Sequence, residues 1–269
     1  MKTRVISATV LIILVVACFA LGPVTRALFL LAAMIMAVWE TCRAIGYKNV
    51  VCQPWILYAY CVATVAELWF NADALAFEIT FFLAVFAAMT AGIVSKKIRG
   101  AGALATLGVL AYPIVPFVIV CKLALMESSV WIPVFAIACI STWVCDSFAL
   151  FGGKRFGKHK LSPKISPKKS IEGAVAGVVG TTVFAAVTFL ICKHFFFTLD
   201  TIKLWQVIIA TVVLCVLGMC GDLSASVIKR NFGEKDFGTL FPGHGGVLDR
   251  VDSFLFTMPS LYLIVEVAA

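Results

Sequence analysis

The sequence predicts an all-α fold, a polytopic membrane helical bundle with about nine transmembrane helices. Of its 269 residues, 62% are hydrophobic and only 13% are charged, and the mean hydropathy is +1.05. A soluble globule could not hide this much apolar surface, because a folded chain of this size still exposes a large area to water. The bilayer must therefore be the solvent for most of the chain.

The predicted spans follow the apolar stretches in order, each near the roughly 20 residues that cross a bilayer as a helix. The second is the weakest, because it is short, with Arg26 near its start and Glu40 at its end. The first is interpreted as a span, and a cleaved secretory signal at Met1–Leu21 is the alternative. The spans are Val5–Leu21, Val24–Trp39, Val51–Phe70, Ala74–Val94, Ala103–Val120, Val130–Leu150, Ile171–Cys192, Leu204–Cys220 and Val251–Ala269.

Basic residues support this arrangement because they concentrate on one side of it. With a cytoplasmic N-terminus, all but four of the 22 lysines and arginines fall on the inner side, which is the positive-inside pattern. The four are Arg26, Lys122, Lys193 and Lys203. The sequence thus predicts a multi-pass protein of the cell inner membrane with two large cytoplasmic loops, 151–170 and 222–250. We divide the chain into N-terminal spans, 1–145, and a second region, 146–269, that carries both loops and a cytoplasmic active site.

Composition also argues against nucleic-acid binding and against a structural role for the cysteines as metal ligands or in disulfides. The net charge of +8 follows from the positive-inside bias and contact with anionic lipid. No nucleic-acid-binding motif is present, so nucleic acid is not an expected partner. The ten cysteines lie mostly in apolar stretches, and no two make a CxxC pair. We therefore expect buried thiols, with neither a cysteine metal site nor a disulfide framework.

Four acidic residues gather at the inner ends of predicted spans, although the chain has only 14. They are Asp146, Asp222, Asp249 and Asp252. Helix capping would explain any one of them, but ionisable groups at this depth are costly and tend to be functional. Carboxylates bind Mg²⁺, and the clustered lysines and arginines of the inner loops neutralise phosphates. Together they predict phosphoryl or nucleotidyl chemistry.

Two loop segments supply the remaining candidates. The stretch FPGHGGVLDRVD, 241–252, is rich in glycine, which lets backbone approach a ligand closely, although a plain turn before a helix needs similar residues. The stretch 154–169 has seven basic residues, and contact with anionic lipid would also explain it. Neither a Walker A motif nor GxGxxG is present, which excludes a P-loop or a Rossmann domain.

These segments resemble a known family. Residues 226–252 contain SVIKR, KDFG and PGHGGVLDRVD at the spacing of the CDP-diacylglycerol synthase (phosphatidate cytidylyltransferase) family. The sequence GDL at 221–223 resembles the start of that pattern, and SPKKSIEG at 166–173 resembles a second element. Asp146 resembles an acidic motif that precedes it. The resemblance extends over the second half of the chain, whereas the first half is similar only in its apolar spans.

Four positions depart from the family pattern. Ser170 replaces the usual threonine and keeps a hydroxyl, Ile171 stands where an aromatic is common, and Leu150 replaces a frequent tyrosine. Ala225 stands where the family often has glutamate, which removes a carboxylate beside the expected site. From the sequence alone, we expect Ala225→Glu to be tolerated or to strengthen Mg²⁺ binding.

The resemblance implies that the chain condenses CTP with phosphatidic acid, giving CDP-diacylglycerol and pyrophosphate. It implies Mg²⁺ and a second, monovalent cation (K⁺) as cofactors, with Asp222 and Asp249 as the metal carboxylates. Its other partners would be membrane lipids, and the sequence leaves open whether the chain forms a homodimer. The implied catalytic positions are Asp222, Lys229, Arg230, Lys235, Asp236, His244, Asp249, Arg250 and Asp252. The implied substrate-binding positions are Asp146, Ser166, Lys168, Lys169, Glu172, Ser226, Gly245 and Gly246.

Three other functions stay open at this point. A CTP-dependent polyprenol or phytol kinase would transfer the γ-phosphate and release CDP. A transporter or ion channel would need acids across the membrane, whereas Glu67, Glu78 and Glu266 lie toward the outer face and the middle is nearly free of charge. A non-catalytic membrane scaffold would leave the stretch 222–252 without a purpose.

Overall fold

The computed structural model describes residues 2–46, 49–94, 99–195, 203–241, 243 and 245–268. The helices are α1 (Lys2–Ala20), α2 (Pro23–Gly46), α3 (Pro54–Trp69), α4 (Ala74–Val94), α5 (Arg99–Val109), α6 (Val115–Leu125), α7 (Ser128–Cys139), α8 (Cys145–Phe156), α9 (Ile171–Phe195), α10 (Leu204–Asn231), α11 (Leu248–Val251) and α12 (Phe254–Ala268). The segment Leu110–Ile114, which is kinked where Tyr112 has an extended backbone, connects α5 to α6, and the π-helical segment Ile140–Val144 connects α7 to α8.

The predicted all-α membrane fold is confirmed, and each predicted span coincides with a helix or with two consecutive helices. Within the described ranges, six helical segments are long and apolar enough to cross a membrane. They are Pro23–Gly46, Ala74–Val94, Gly100–Leu125, Phe135–Phe156, Ile171–His194 and Leu204–Asn231. Helix α3 has 16 residues, and the apolar parts of α1 and α12 are also shorter. The number of nine spans stays a prediction.

Several helices extend further than the predicted spans, and α8 and α10 do so into the two large predicted loops. Helix α8 continues to Phe156, and α10 continues to Asn231, so both enter segments that the sequence predicts as loops. Hydropathy detects only the apolar part of a helix, whereas both last turns are basic. Cations are stabilising at a helix C-terminus because they complement the helix dipole. The chain leaves α10 through Gly233, whose φ of +81° suits glycine after a helix end.

The first basic loop is ordered as a short hairpin. Strand β1 (Lys160–Ser162) pairs antiparallel with β2 (Ser166–Ser170), and Ser162 lies opposite Ser166. Ser170 then starts α9, because its hydroxyl oxygen accepts the backbone N–H of Gly173 at 3.1 Å. A side-chain oxygen in this position satisfies an N–H that has no partner within the helix. The hairpin therefore fixes the register of the SPKKSIEG element against α9.

The chain forms two compact units. The first comprises residues 1–127 and 228–251, and the second comprises residues 128–227 and 252–269. In the first unit, Met34, Ala37 and Val38 of α2 are fully buried. In the second unit, α8 packs along α9. The division at residue 145 was drawn from motifs and stays a prediction.

Small residues allow α8 and α9 to approach closely. A Cβ atom at Gly177 of α9 would lie 3.0 Å from both the Cβ of Ala149 and the carbonyl oxygen of Cys145 on α8. We expect Gly177→Leu to force these helices apart and to lower the unfolding free energy by about 1–3 kcal/mol. The measurement is the melting temperature of the detergent-solubilised protein. Gly108→Leu is the matched control, because a Cβ there meets nothing within 4 Å; equal melting temperatures for both variants would contradict the packing.

Candidate active site

Three charged side chains of the second unit form one group, which we name the Asp222 cluster: Asp146, Lys169 and Asp222. Lys169, at the end of β2, makes an ion pair with the carboxylate of Asp222 on α10. Both side chains are 28% exposed. Asp146, in the first turn of α8, lies close enough to both for their charges to act on it. Residues 53 and 76 positions apart in sequence are thus brought together, as the acidic pattern predicts for Asp146 and Asp222.

The backbone before Asp146 is unusual. The π-helical segment Ile140–Val144 precedes α8, and π-helical turns occur frequently at functional sites. A small cleft lies beside Asp146 and is lined by Ser141, Thr142, Cys215 and Ser253. Asp146 is exposed and is itself one of the residues that line this cleft.

The Asp222 cluster fits a Mg²⁺ ion that is held jointly by protein and substrate. Within the described ranges, no three His, Cys, Asp or Glu side chains converge in a way that could hold a metal. Mg²⁺ does not need three, because it commonly takes one or two carboxylates and completes its shell with phosphate oxygens and water. Asp146 and Asp222 provide two carboxylates. The pairing of Asp222 with Asp249 on a metal stays a prediction.

Glu172 ties the basic loop to the start of α9. Its carboxylate accepts the backbone N–H groups of Lys158 at 3.1 Å and His159 at 3.2 Å, and His159 Nδ1 lies 2.6 Å from it. Glu172 therefore holds the preceding loop, while Ser170 caps the helix. A direct role for Glu172 in substrate binding stays a prediction.

A second group of charges organises the first unit around Asp249. Its Oδ1 accepts a hydrogen bond from Lys229 Nζ at 2.8 Å, and its Oδ2 accepts the N–H groups of Phe237 at 2.8 Å and Gly246 at 2.9 Å. The side chains of Lys229 and Asp249 are only 9% and 3% exposed. The Lys229 ammonium also lies 5.4 Å from the centroid of the Phe237 ring. One carboxylate thus holds both ends of the 237–249 segment to α10.

The glycines of this segment are required by its shape. Gly245 has a φ of +83°, and a Cβ there would lie 2.6 Å from Oδ2 of Asp249. The segment folds back on itself, since Phe241 N–H donates to the carbonyl oxygen of Gly245 at 2.9 Å. The glycine-rich stretch is therefore a tight loop wrapped around a buried carboxylate. Pro242 and His244 lie outside the described residues, so the role of His244 stays a prediction.

The structure adds two residues of α2 that the sequence analysis did not select. Glu40 is completely buried and accepts the N–H groups of Val247 and Leu248 at 2.9 Å each. Arg43 Nη2 donates to the carbonyl oxygen of Phe237 at 2.7 Å. The only signal in the sequence was an acid and a base three residues apart at the end of an otherwise apolar span.

The remaining predicted positions lie on the surface or on helices. Lys235, Asp236 and Arg250 are exposed, and Arg230 is exposed with its Nη1 donating to the carbonyl oxygen of Glu234 at 2.9 Å. Ser226 lies on α10, Ser166 and Lys168 lie on β2, and Asp252 belongs to the second unit. Asp252 accepts the N–H of Ser253 at 2.8 Å. Their contacts with substrate stay predictions.

The position of Ala225 changes the expectation for Ala225→Glu. Ala225 is 0% exposed on α10, so a glutamate there would be placed in packed surroundings. Burying a charge without a partner is costly, and overpacking adds a further cost of about 1–3 kcal/mol. We now expect Ala225→Glu to lower the melting temperature in detergent, with Ala225→Ser as the milder control. A variant as stable as the wild type and with stronger Mg²⁺ binding would restore the expectation from sequence.

The sequence of the chain is similar to a known protein family. A model of the cytidylyltransferase family matches residues 2–268, nearly the whole chain. The chain belongs to the cytidylyltransferase family. The match includes the N-terminal spans, in which the sequence analysis found only apolar character, and therefore includes α2 with Glu40 and Arg43.

Curated members of similar sequence are named phosphatidate cytidylyltransferase. The protein from Bacillus subtilis is 39% identical over 127 residues, 47% of this chain and 45% of the relative. The protein from Staphylococcus epidermidis is 40% identical over 127 residues, 47% and 46% of the two chains. The protein from Thermotoga maritima is 31% identical over 127 residues, 47% of each. The aligned part of the chain spans about half the length of the relatives it matches.

Proposed function

We propose that this chain is a phosphatidate cytidylyltransferase, which condenses CTP with phosphatidic acid to give CDP-diacylglycerol and pyrophosphate. The observation that carries the proposal is the Asp222 cluster, in which two carboxylates and a lysine meet in a membrane protein of the cytidylyltransferase family. Carboxylates suited to Mg²⁺ beside a phosphate-neutralising cation are what a nucleoside triphosphate requires. The names of the relatives supply phosphatidate as the acceptor.

The proposed reaction is an in-line substitution at the α-phosphorus of CTP. An anionic oxygen of the phosphatidate phosphate forms the new P–O bond, while the bond between the α-phosphorus and the oxygen bridging to the β-phosphate breaks. Pyrophosphate leaves with that bridging oxygen and its electron pair. Phosphatidate is already anionic, so no general base is needed. Transfers of this kind depend mainly on positioning and charge neutralisation.

The chain's own residues would supply that positioning and charge. Lys169 would neutralise a phosphate oxygen, and the exposed Arg230, Lys235 and Arg250 would contact phosphates of CTP or phosphatidate. Asp146 and Asp222 would hold Mg²⁺, with K⁺ as a second cation. When bound, Mg²⁺ orients the triphosphate and offsets the charge of the leaving group. Lys229 would hold the Asp249 carboxylate in place and, through it, the 237–249 segment in shape.

The lipid substrate accounts for the membrane fold. A soluble enzyme would have to extract phosphatidate from the bilayer, at about 0.8 kcal/mol for each exposed CH₂. An enzyme at the interface lets the acyl chains stay in the membrane while CTP arrives from the cytoplasm. The one-sided distribution of lysine and arginine supports an inner-membrane location with the N-terminus and the active site in the cytoplasm.

An assay with two labels tests this proposal against a kinase. Purified protein in phosphatidate liposomes is incubated with Mg²⁺ and CTP labelled on either the α- or the γ-phosphorus. The proposal predicts that α-label enters the lipid and that γ-label appears in pyrophosphate. A kinase would put γ-label into the lipid and leave α-label in CDP. Liposomes of diacylglycerol, which lacks the attacking phosphate, are the control and should give no labelled lipid.

A further inference from the structure

The strongest unassigned feature is the carboxylate of Glu40. It belongs to α2, on which no expected site residue lies, and it is 0% exposed. Its Oε1 accepts the N–H of Val247 and its Oε2 accepts the N–H of Leu248, both at 2.9 Å. A buried carboxylate is tolerated only when it is well hydrogen-bonded. Both oxygens of Glu40 are therefore committed to the backbone immediately before Asp249.

Arg43 makes the matching contact at the other end of the same segment. It lies three residues after Glu40, and therefore on the same face of α2. Its Nη2 donates to the carbonyl oxygen of Phe237 at 2.7 Å, and its guanidinium lies 4.8 Å from the centroid of the Trp39 ring. Helix α2 thus holds the 237–249 segment at Phe237 and again at Val247 and Leu248.

Two glycines show how closely the segment is fitted to Glu40. A Cβ atom on either Gly238 or Gly246 would collide with the Glu40 carboxylate. Backbone therefore encloses this carboxylate, and no side chain could take the place of either glycine without displacing it. The Glu40 carboxylate therefore lies in a pocket formed by the backbone of the segment, and this pocket fits it closely.

The contacts of Glu40 and those of Asp249 interlock. Phe237 donates its N–H to Asp249 and offers its carbonyl oxygen to Arg43. Gly246 donates its N–H to Asp249, and the next N–H along the chain goes to Glu40. The two carboxylates therefore bind neighbouring parts of the same backbone segment.

We propose that Glu40 and Arg43 are positioning residues that hold the 237–249 segment, and Asp249 with it, in the geometry required for the reaction. The link to catalysis rests on the proposed function, whereas the hydrogen bonds of Glu40 and Arg43 are independent of it. The carboxyl group of Glu40 is required because each of its two oxygens accepts a backbone N–H. A glutamine has one acceptor oxygen and an N–H₂ group that would face a backbone N–H.

The test compares Glu40→Gln with Glu67→Gln. Glu67 is a partly buried carboxylate of α3 in the same unit, and its Oε1 bonds the hydroxyl of Thr80. Hydrogen exchange is measured on the full-length protein in detergent, on peptides containing Val247 and Leu248 and on peptides from α9. Loss of one buried hydrogen-bond acceptor shifts the equilibrium between the closed and the open backbone by about tenfold. We expect at least about tenfold faster exchange at 247–248 in Glu40→Gln, with α9 unchanged and with no change in Glu67→Gln.

The Michaelis constant for CTP separates positioning from simple loss of folded protein. A partly unfolded preparation has fewer active molecules, which lowers the apparent kcat and leaves KM unchanged. A displaced segment should instead raise KM as well, because its cations and Asp249 would meet the triphosphate less well. We expect the KM for CTP to rise at least about threefold in Glu40→Gln. Arg43→Gln should raise KM in the same way, and it keeps the test open if Glu40→Gln does not fold.

Each outcome decides a different point. A wild-type rate of hydrogen exchange at residues 247–248 in Glu40→Gln would overturn the claim that Glu40 holds the segment. Faster exchange with an unchanged KM would overturn the positioning role. If the wild-type protein forms no CDP-diacylglycerol, the proposed function fails, and the exchange data alone then decide whether α2 holds the segment.

Discussion

Replacing Asp249 by asparagine is expected to abolish CDP-diacylglycerol formation while leaving insertion in the membrane intact. The amide has one acceptor in place of two carboxylate oxygens, so either Lys229 or the N–H groups of Phe237 and Gly246 lose a partner. Breaking a buried ion pair by removing one partner costs about 3–5 kcal/mol. We expect kcat/KM to fall by at least about 100-fold. The measurement is the rate of lipid product formation, with membrane yield as the check on insertion.

A second substitution separates charge neutralisation from a direct role of Asp249. Lys229→Met in the Asp249→Asn background removes the unpaired buried cation, and replacing both partners by neutral groups can be nearly neutral for stability. We expect the double variant to regain thermal stability and to stay inactive. Glu234→Gln, in the same unit, is the control and should behave as wild type. Recovery of activity in the double variant would mean that Asp249 serves only to neutralise Lys229.

Replacing Asp222 by asparagine should lower activity strongly but change stability little. The pair that Asp222 makes with Lys169 is partly exposed, and such pairs contribute only about 0–1 kcal/mol to stability. The melting temperature should therefore change little. We expect kcat/KM to fall by about 100-fold or more, because charge stabilisation by one group is commonly worth that much. The Mg²⁺ concentration for half-maximal activity should also rise, because a carboxylate ligand is lost.

The controls for Asp222 come from the same chain. Glu78→Gln, an exposed carboxylate on α4, should leave both the rate and the Mg²⁺ dependence unchanged. Asp146→Asn should shift the Mg²⁺ dependence in the same direction as Asp222→Asn if both carboxylates serve one ion. An Asp222→Asn variant with the wild-type Mg²⁺ dependence would remove Asp222 from the metal site.

Much of the fold could be predicted because the bilayer imposes a simple rule. Apolar stretches of spanning length must be helical, and all the predicted stretches coincide with helices. The sequence could not predict where α10 ends, because its last turns are polar and hydropathy cannot distinguish a polar helix from a loop. The strands β1 and β2 could not be predicted either, because both are short and basic, β2 contains a proline, and neither has the usual strand periodicity.

Only part of the candidate site could be predicted, and the reason differs from that for the fold. Asp146 and Asp222 stood out because acids are rare at the ends of apolar helices, and the structure brings them together with Lys169. Glu40 could not be selected, because its partners are backbone N–H groups 207 and 208 residues away. Backbone partners leave no mark in the side-chain pattern. A lone buried acid in an apolar span indicates that some partner exists, but only the fold identifies it.

The most direct test of the account follows the oxygen atoms of phosphatidate. Wild-type protein is supplied with phosphatidate that carries ¹⁸O in its phosphate group, together with unlabelled CTP and Mg²⁺, and the products are analysed by mass spectrometry. If a phosphatidate oxygen attacks the α-phosphorus of CTP, all of the ¹⁸O stays in CDP-diacylglycerol and the pyrophosphate is unlabelled. Release of CDP with a lipid pyrophosphate as the product, or ¹⁸O in the pyrophosphate, would contradict the proposed cytidylyl transfer.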